Sequence, residues 1–324
     1  MTHAIRFHKA GGPEVLQWEE VQVGKPGPGE ARVRNTAVGL NYVDTYVRSG
    51  LYPSSPPSGL GAEGAGVVEE VGPGVTDVKP GDRVAYGSGP LGAYAEERVM
   101  PADRLVALPD GISDQQGAAM MLKGLTTQYL IRQIHKVAKG ETILFHAAAG
   151  GVGLIACQWA KALGLELIGT AGSDEKCALA KDYGAAHMIN YRSEDFVERV
   201  KEITGGKGVK VVYDSVGKDT FDGSLACLRP FGLMAIFGNS SGAPAPFAPN
   251  TLAAKGSLYL TRPTLFTHTS TRERTQAMAD ELFEVVRDGT VKIRIDQRYP
   301  LAQAAQAHRD LEARKTTGCS VLLA

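Results

Sequence analysis

One segment has a residue order that can hold an anion. Ile143-Leu144-Phe145-His146-Ala147-Ala148-Ala149-Gly150-Gly151-Val152-Gly153-Leu154 is an apolar strand that runs through small residues straight into a helix. Gly150 and Gly151 let the backbone turn tightly and approach a pyrophosphate, with Val152 beside them, while Gly153 lets the helix pack close to the strand. The N–H groups of the helix start then face the anion. Ala148 stands where the usual G-x-G-x-x-G has its first glycine, so the string is partial, and the strand before and helix after it carry the reading. About 20 residues further on, where a carboxylate would select the ribose hydroxyls of NAD, the chain reads Gly169-Thr170-Ala171-Gly172-Ser173. No carboxylate stands at that tip. Ser173 and Lys176 stand where a 2′-phosphate would be held, Lys176 as a point charge, Gly172 is a close-approach point for the dinucleotide, and NADPH is the expected cofactor. The plain alternative for Lys176 is a solvated lysine in a first helical turn, beside Asp174 and Glu175.

Other chemistry-bearing residues are less specific. Tyr42, Tyr46 and Tyr52 crowd one loop-rich segment and on composition read as packing. His146 and Cys157 fit core positions, where buried polar groups are usually just paired. The run Arg272-Glu273-Arg274 reads as a solvated helix start. Cys157, Cys177, Cys227 and Cys319 form no CxxC pair and no disulfide framework, which suits a reduced, cytoplasmic setting. The N-terminus lacks a signal-peptide core and no run approaches the roughly 20 apolar residues of a membrane span, so a soluble protein is expected.

Behind these residues must stand two domains, the prior for 324 residues. Hydrophobic residues at 43% against 22% charged are enough to build both cores. Lys plus Arg and Asp plus Glu both number 35, which argues against a nucleic-acid or anionic-membrane partner. Up to about residue 120 the chain reads as short strands (31–38, 65–71, 83–86, 93–99) broken by Gly and Pro. Helices follow over 114–121 and 126–135, placing a boundary near residue 122. From Thr142 to Thr261 strands at 142–147, 166–170, 187–190, 209–213, 233–237 and 257–261 alternate with helices, which defines a doubly wound parallel sheet. After Pro263 a helix starts behind a Ser270/Glu273 capping box and runs to about Arg287. A strand at 293–298, a helix at 302–313 and a strand at 319–323 complete an α/β chain.

The segment Gly140-Glu141-x-x-Leu144-x-x-x-Ala148-Ala149-Gly150-Gly151-x-Gly153-x-x-x-x-Gln158-x-x-Lys161 resembles the signature of the quinone oxidoreductase (zeta-crystallin) branch of the medium-chain dehydrogenase/reductase superfamily. Gly11 to Leu16, Asn41 to Tyr46, Ser49 to Pro53, Leu122 to Thr127 and Tyr213 to Gly217 are similar to that family in its order. The resemblance implies a GroES-like, β-rich catalytic domain from 1–122 completed by a return segment, 263–324, with a Rossmann domain over 123–262. Zinc-dependent relatives carry a Cys near Asn41-Tyr42-Val43-Asp44 and a His before the Glu of a G-H-E motif. Here Ala62 precedes Glu63 and no Cys occurs before residue 157, so neither a catalytic nor a structural metal is expected.

Without a Lewis acid an alcohol gives up hydride with difficulty, whereas an electron-poor quinone or enone accepts one and needs only a modest proton source. The resemblance therefore implies an NADPH-dependent, zinc-independent quinone reductase acting at a cleft between its domains. The alternatives are an enone or alkenal reductase, and a non-catalytic NADPH-carrying structural or RNA-binding protein. It assigns Asn41, Tyr46 and Tyr52 to orienting substrate and nicotinamide. Around the cofactor it places Tyr42, Thr45, Thr127, Tyr129, Tyr191, Ser215, Phe237, Gly238, Asn239, Ser240, Pro263, Thr264, Leu265 and Arg314. A homodimer is expected, joined through the edge near Ser257 to Thr261.

Overall fold

The computed structural model describes residues 2–324. They divide into two compact units. The first runs up to Leu125 and resumes over Leu265–Gly289 and Ile293–Ala324; the second comprises Thr126–Thr264 and Thr290–Lys292.

The first unit is built on the strand Glu30–Leu40. Ala31, Val33, Asn35 and Ala37 alternate inward, as one buried face requires, and from Ala37 to Leu40 the strand is buried throughout. It pairs antiparallel with Gly64–Val71, with Glu97–Pro101 and with the last strand, Cys319–Leu323. Ile295–Pro300 extends this seven-stranded sheet on one side, Arg83–Tyr86 and Val106–Ala107 on the other. Phe7, Leu60, Val84, Tyr94, Met100 and Leu105 fill the core.

Four expectations shift here. The strand read at 93–99 starts only at Glu97, because the Ala93 and Ala95 carbonyls accept from the Asn35 side chain, at 3.2 and 2.7 Å, instead of from a ladder. The helix read in two pieces is continuous over Asp114–Tyr129, and the units divide within it, after Leu125. Gly124 lies inside that helix, where a Cβ would stand 2.5 Å from the Leu282 side chain. The helix Arg272–Arg287 is capped by Thr271, whose hydroxyl accepts from Arg274 N, and not by Ser270. The strand read at 293–298 lies at Ile295–Pro300.

The second unit is a six-stranded sheet in the order His187–Asn190, Glu166–Ala171, Thr142–Phe145, Val209–Asp214, Leu228–Ile236, Tyr259–Thr261. Every neighbouring pair is parallel. Ile143, Leu144 and Phe145 are all buried, as strands covered on both faces require. Leu144, Ile168, Ile189, Val212 and Met234 make one core cluster. Ser257 has a left-handed φ of 56°, which keeps the start of the expected 257–261 segment out of its strand.

Candidate active site and dinucleotide turn

In the second unit the strand Thr142–Phe145 leads to Ala147, held at φ 56°, and then to the helix Gly151–Ala162 with Gly150 as its N-cap. No side chain caps that helix, so its first turn offers backbone donors. A Cβ on Gly153 would stand 2.5 Å from the carbonyl oxygens of both Ala147 and Ala148; on Gly150 it would stand 3.3 Å from that of Ala147. The closest steric constraint in the turn thus falls on the glycine read as a packing residue. Thr127 is buried with its hydroxyl donating to the Val152 carbonyl at 3.3 Å, and Tyr129 is buried in the same helix.

At the tip of the next strand Gly172, Ser173, Lys176 and Tyr191 come together. A Cβ on Gly172 would meet the Tyr191 hydroxyl at 2.6 Å, and Tyr191 N donates to Ala171 O at 3.1 Å. Ser173 caps the helix Asp174–Asp182, accepting from the N–H of half-buried Lys176. The Asp174 carboxylate is taken up by the Asn190 amide at 2.8 Å.

The carboxyl ends of the following strands gather Ser215, Phe237, Gly238, Asn239, Ser240 and Pro263. A Cβ on Gly238 would stand 2.6 Å from Ser215 O. Ser240 N donates to that same oxygen at 3.1 Å, and Phe237 packs 5.7 Å from Phe145 between ring centres. Arg262 donates to the carbonyls of Ile236 and Pro263, which ties Pro263, and Thr264 after it, to the end of Leu228–Ile236. Sequence reasoning missed the support beneath. Buried Asp214 accepts from Val216 N, Gly217 N, Thr220 Oγ1 and Ser224 Oγ at 2.7–3.0 Å. His146 has its ring nitrogens on Thr170 and Ser224 hydroxyls, and burial lowers its pKa against the pull of Asp214. Cys157 is buried and its thiol is pushed up to about 12 by that burial.

In the first unit, Asn41 caps the helix Tyr42–Ser49. Its N–H donates to Asp44 Oδ2 at 2.9 Å and its side-chain Nδ2 to Glu63 Oε2 at 2.8 Å. Lys123 Nζ donates to the same Glu63 oxygen at 2.8 Å, and Leu122 N to Oε1, also at 2.8 Å. Burial would drive the Lys123 ammonium to lose its proton, but the Glu63 charge outweighs this and the net pKa is raised. Lys123 and Glu63 thus form a buried salt bridge. A Cβ on Gly39 would collide with the Glu63 carboxylate and the Ala118 carbonyl, so that glycine makes the space.

A second buried network starts at Asp44. Tyr94 OH donates to Asp44 Oδ2 at 2.9 Å and lies 3.2 Å from His308 Nε2; His308 Nδ1 lies 2.9 Å from Arg48, which pairs with Glu312 at 2.7 Å. Burial pushes the Asp44 carboxyl up to about 7, against the hydrogen bonds from Asn41 and Tyr94. Burial, with the Arg48 charge, holds His308 down to about 3.

The tyrosines cluster as the sequence suggests, with ring centres 6.3 Å apart for Tyr42 and Tyr46 and 5.2 Å for Tyr46 and Tyr52. Tyr42 OH donates to Leu311 O, and the buried Thr45 hydroxyl donates to Tyr42 O within its own helix. Leu265 opens the short helix Leu265–His268. Arg314 is exposed, at φ 58°, in the turn before Cys319–Leu323. Lys123, Tyr94 and His308 were not singled out by sequence reasoning; a lone lysine among Met120, Met121, Leu122 and Leu125 was the available signal. Among the described residues, no group of three or more His, Cys, Asp and Glu side chains could hold a metal ion.

An alcohol dehydrogenase GroES-like domain model matches residues 27–110, and a zinc-binding dehydrogenase model matches residues 151–284. Together with the parallel sheet and its glycine turn, they define a medium-chain dehydrogenase/reductase. The chain is 58% identical to a quinone oxidoreductase of Pseudomonas aeruginosa, with 100% of both chains covered. It is 48% identical to a 2-haloacrylate reductase of a Burkholderia species, covering 100% of this chain and 99% of that one. The crystal structure of Escherichia coli quinone oxidoreductase complexed with NADPH superimposes with a TM-score of 0.98 at 53% identity, covering 100% of both chains. The chain belongs to the quinone oxidoreductase family of this superfamily.

Proposed function

We propose that the chain is an NADPH-dependent quinone reductase working without a metal ion. The observation that carries this reading is the uncapped glycine turn with Tyr191, Ser173 and Lys176 gathered at the neighbouring strand tip, an arrangement that fits a 2′-phosphorylated dinucleotide. NADPH, when bound, supplies a hydride. The backbone of Gly150, Gly151 and Val152 holds the pyrophosphate, and Ser173, Lys176 and Tyr191 hold the 2′-phosphate. Ser215, Phe237 to Ser240, Pro263 and Thr264 line the strand ends where the nicotinamide half binds. Asn41, Tyr46 and Tyr52 orient a flat acceptor, whose oxygen needs one proton once the ring carries the extra electron pair. Glu63 has both oxygens engaged by Leu122, Asn41 and Lys123, so it serves as an internal counter-charge.

Turnover of 1,4-benzoquinone with NADPH and NADH tests this reading. NADPH should be preferred, and Lys176→Ala should reduce that preference about tenfold, the loss of one phosphate contact worth about 1.4 kcal/mol. Equal use of both cofactors, unchanged by Lys176→Ala, would refute it. Reduction of an electron-poor C=C bond is the second reading, supported by the 48% identity to a 2-haloacrylate reductase; a higher kcat/KM for an alkenal or 2-haloacrylate than for any quinone would install it.

The working form we propose is a cytoplasmic homodimer. Tyr259–Thr261 is an edge strand of the six-stranded sheet. Exposed Phe231 and Tyr259 border a cavity of about 260 Å³ lined also by Ile134, His135, Lys210 and Leu233. No helix among the described residues is long and apolar enough to cross a membrane. Sedimentation velocity should give twice the chain mass, and Tyr259→Arg should shift the protein toward monomer.

A further inference from the structure

The cluster around Glu63 has a composition that stability alone does not explain. Glu63 is fully buried and the Lys123 side chain is 7% exposed. A buried ion pair is seldom more stable than an apolar pair of the same volume, and Gly39 sits inside an otherwise well-packed strand to make room for it. The geometry supplies a reason. Three donors converge on two carboxylate oxygens, so the carboxylate has one orientation, and the Asn41 amide bonded to it has one as well. Asn41 is also held by its backbone N–H on Asp44. A residue fixed at both main chain and side chain is preorganised, and a misplacement of about 1 Å in such a group can cost about a hundredfold in rate.

We propose that Lys123 is a positioning residue for the reduction: through Glu63 its ammonium fixes the Asn41 amide that orients the acceptor. The inference rests on the proposed orienting role of Asn41. It makes the ion pair and the amide a single unit, so removing any one member should have nearly the effect of removing all.

The test uses the full-length enzyme, NADPH and 1,4-benzoquinone, with kcat, KM and the primary isotope effect of NADPH deuterated at the transferred position. Lys123→Met should lower kcat between about tenfold and a hundredfold and raise the isotope effect, with KM for NADPH nearly unchanged. Lys123→Arg should restore part of kcat. Because Lys123→Met leaves a buried carboxylate without its partner and can fail to fold, the charge-free double variant Glu63→Gln/Lys123→Met is the second arm. With no stranded charge it should melt above Lys123→Met, yet keep the low kcat, since Gln presents an N–H where the Asn41 amide needs an acceptor. In an Asn41→Ala background, Lys123→Met should cost nothing further. Parental kcat in the double variant, or a full additional loss in the Asn41→Ala background, overturns the proposal. Unchanged kcat and isotope effect in Asn41→Ala alone overturn the orienting role itself, and with it the positioning role. A loss in Asn41→Ala with none in any Lys123 variant overturns only the latter.

Discussion

The two units position polar chemistry by opposite means. At its glycine turn the sheet unit uses backbone: an uncapped helix start, and glycines at 153, 172 and 238 where a Cβ would come within 2.6 Å of a neighbour. The unit containing Asn41 uses buried titratable side chains, in two networks that meet at that residue through Glu63 and Asp44. The first arrangement is intolerant of added volume, since a Cβ at 153 or 238 would meet backbone oxygens. The second depends on charge as well, and its Gly39 is no more tolerant of a Cβ than the glycines of the turn.

The sharpest way to break this contrast is Gly153→Ala. Its Cβ would press on two carbonyl oxygens at 2.5 Å, so we expect a loss of about 1–3 kcal/mol in stability and a loss of about tenfold or more in NADPH affinity, read by thermal melting and fluorescence titration. Unchanged NADPH binding would show that the turn does not work by close approach.

The pH dependence of the second arrangement comes next. The unfolded chain releases the Asp44 proton near pH 4 whereas the folded one keeps it to about 7, so Asp44 removes stability as pH rises across that window. His308 acts in reverse. Its pKa falls from an ordinary 6.5 to about 3 on folding, so it removes stability as pH falls from 6.5 toward 3. Between about pH 4 and 6.5 the two slopes oppose, within a setting that also includes Glu63, Lys123, Tyr94 and Arg48. Asp44→Asn should therefore expose a melting temperature that drops on acidification, and His308→Gln one that drops as pH rises from 4 to 7. Calorimetry showing three parallel curves would mean that neither group titrates abnormally.

Smaller effects should follow at the strand tip and among the tyrosines. Gly172→Ala would push the Tyr191 hydroxyl aside, and a shift of a few tenths of a kcal/mol to about 1 kcal/mol in NADPH-over-NADH selectivity is expected in a direct competition assay. Tyr46→Phe should change kcat by less than about tenfold; complete inactivation would instead make its hydroxyl the proton donor.

The strand–glycine–helix turn was legible because everything it needs lies within a dozen consecutive residues, and the six parallel strands because each is an apolar run punctuated by turn residues. What stayed hidden depends on distant partners. Nothing near Ala93 says that its carbonyl will be claimed by Asn35, and nothing near Gly124 says that Leu282 will lie against it. Lys123 and Glu63 are 60 positions apart, and Arg48 and His308 are 260 apart. Each looks like an ordinary polar residue until tertiary contact brings it to its partner.

The pairing of Ser320–Leu323 with Ala37–Leu40 sets a timetable as well as a shape. The strand that leads into Asn41 lacks one of its neighbours until Cys319–Leu323 has been synthesised, and at about 5–20 residues per second that wait lasts tens of seconds. The sheet unit is nearly contiguous in sequence and has all six of its strands well before then. A nascent chain thus passes through a period in which the glycine turn can already form while the apolar edge beside Val38 and Leu40 stands open, the stage at which chaperone capture or mispairing would act.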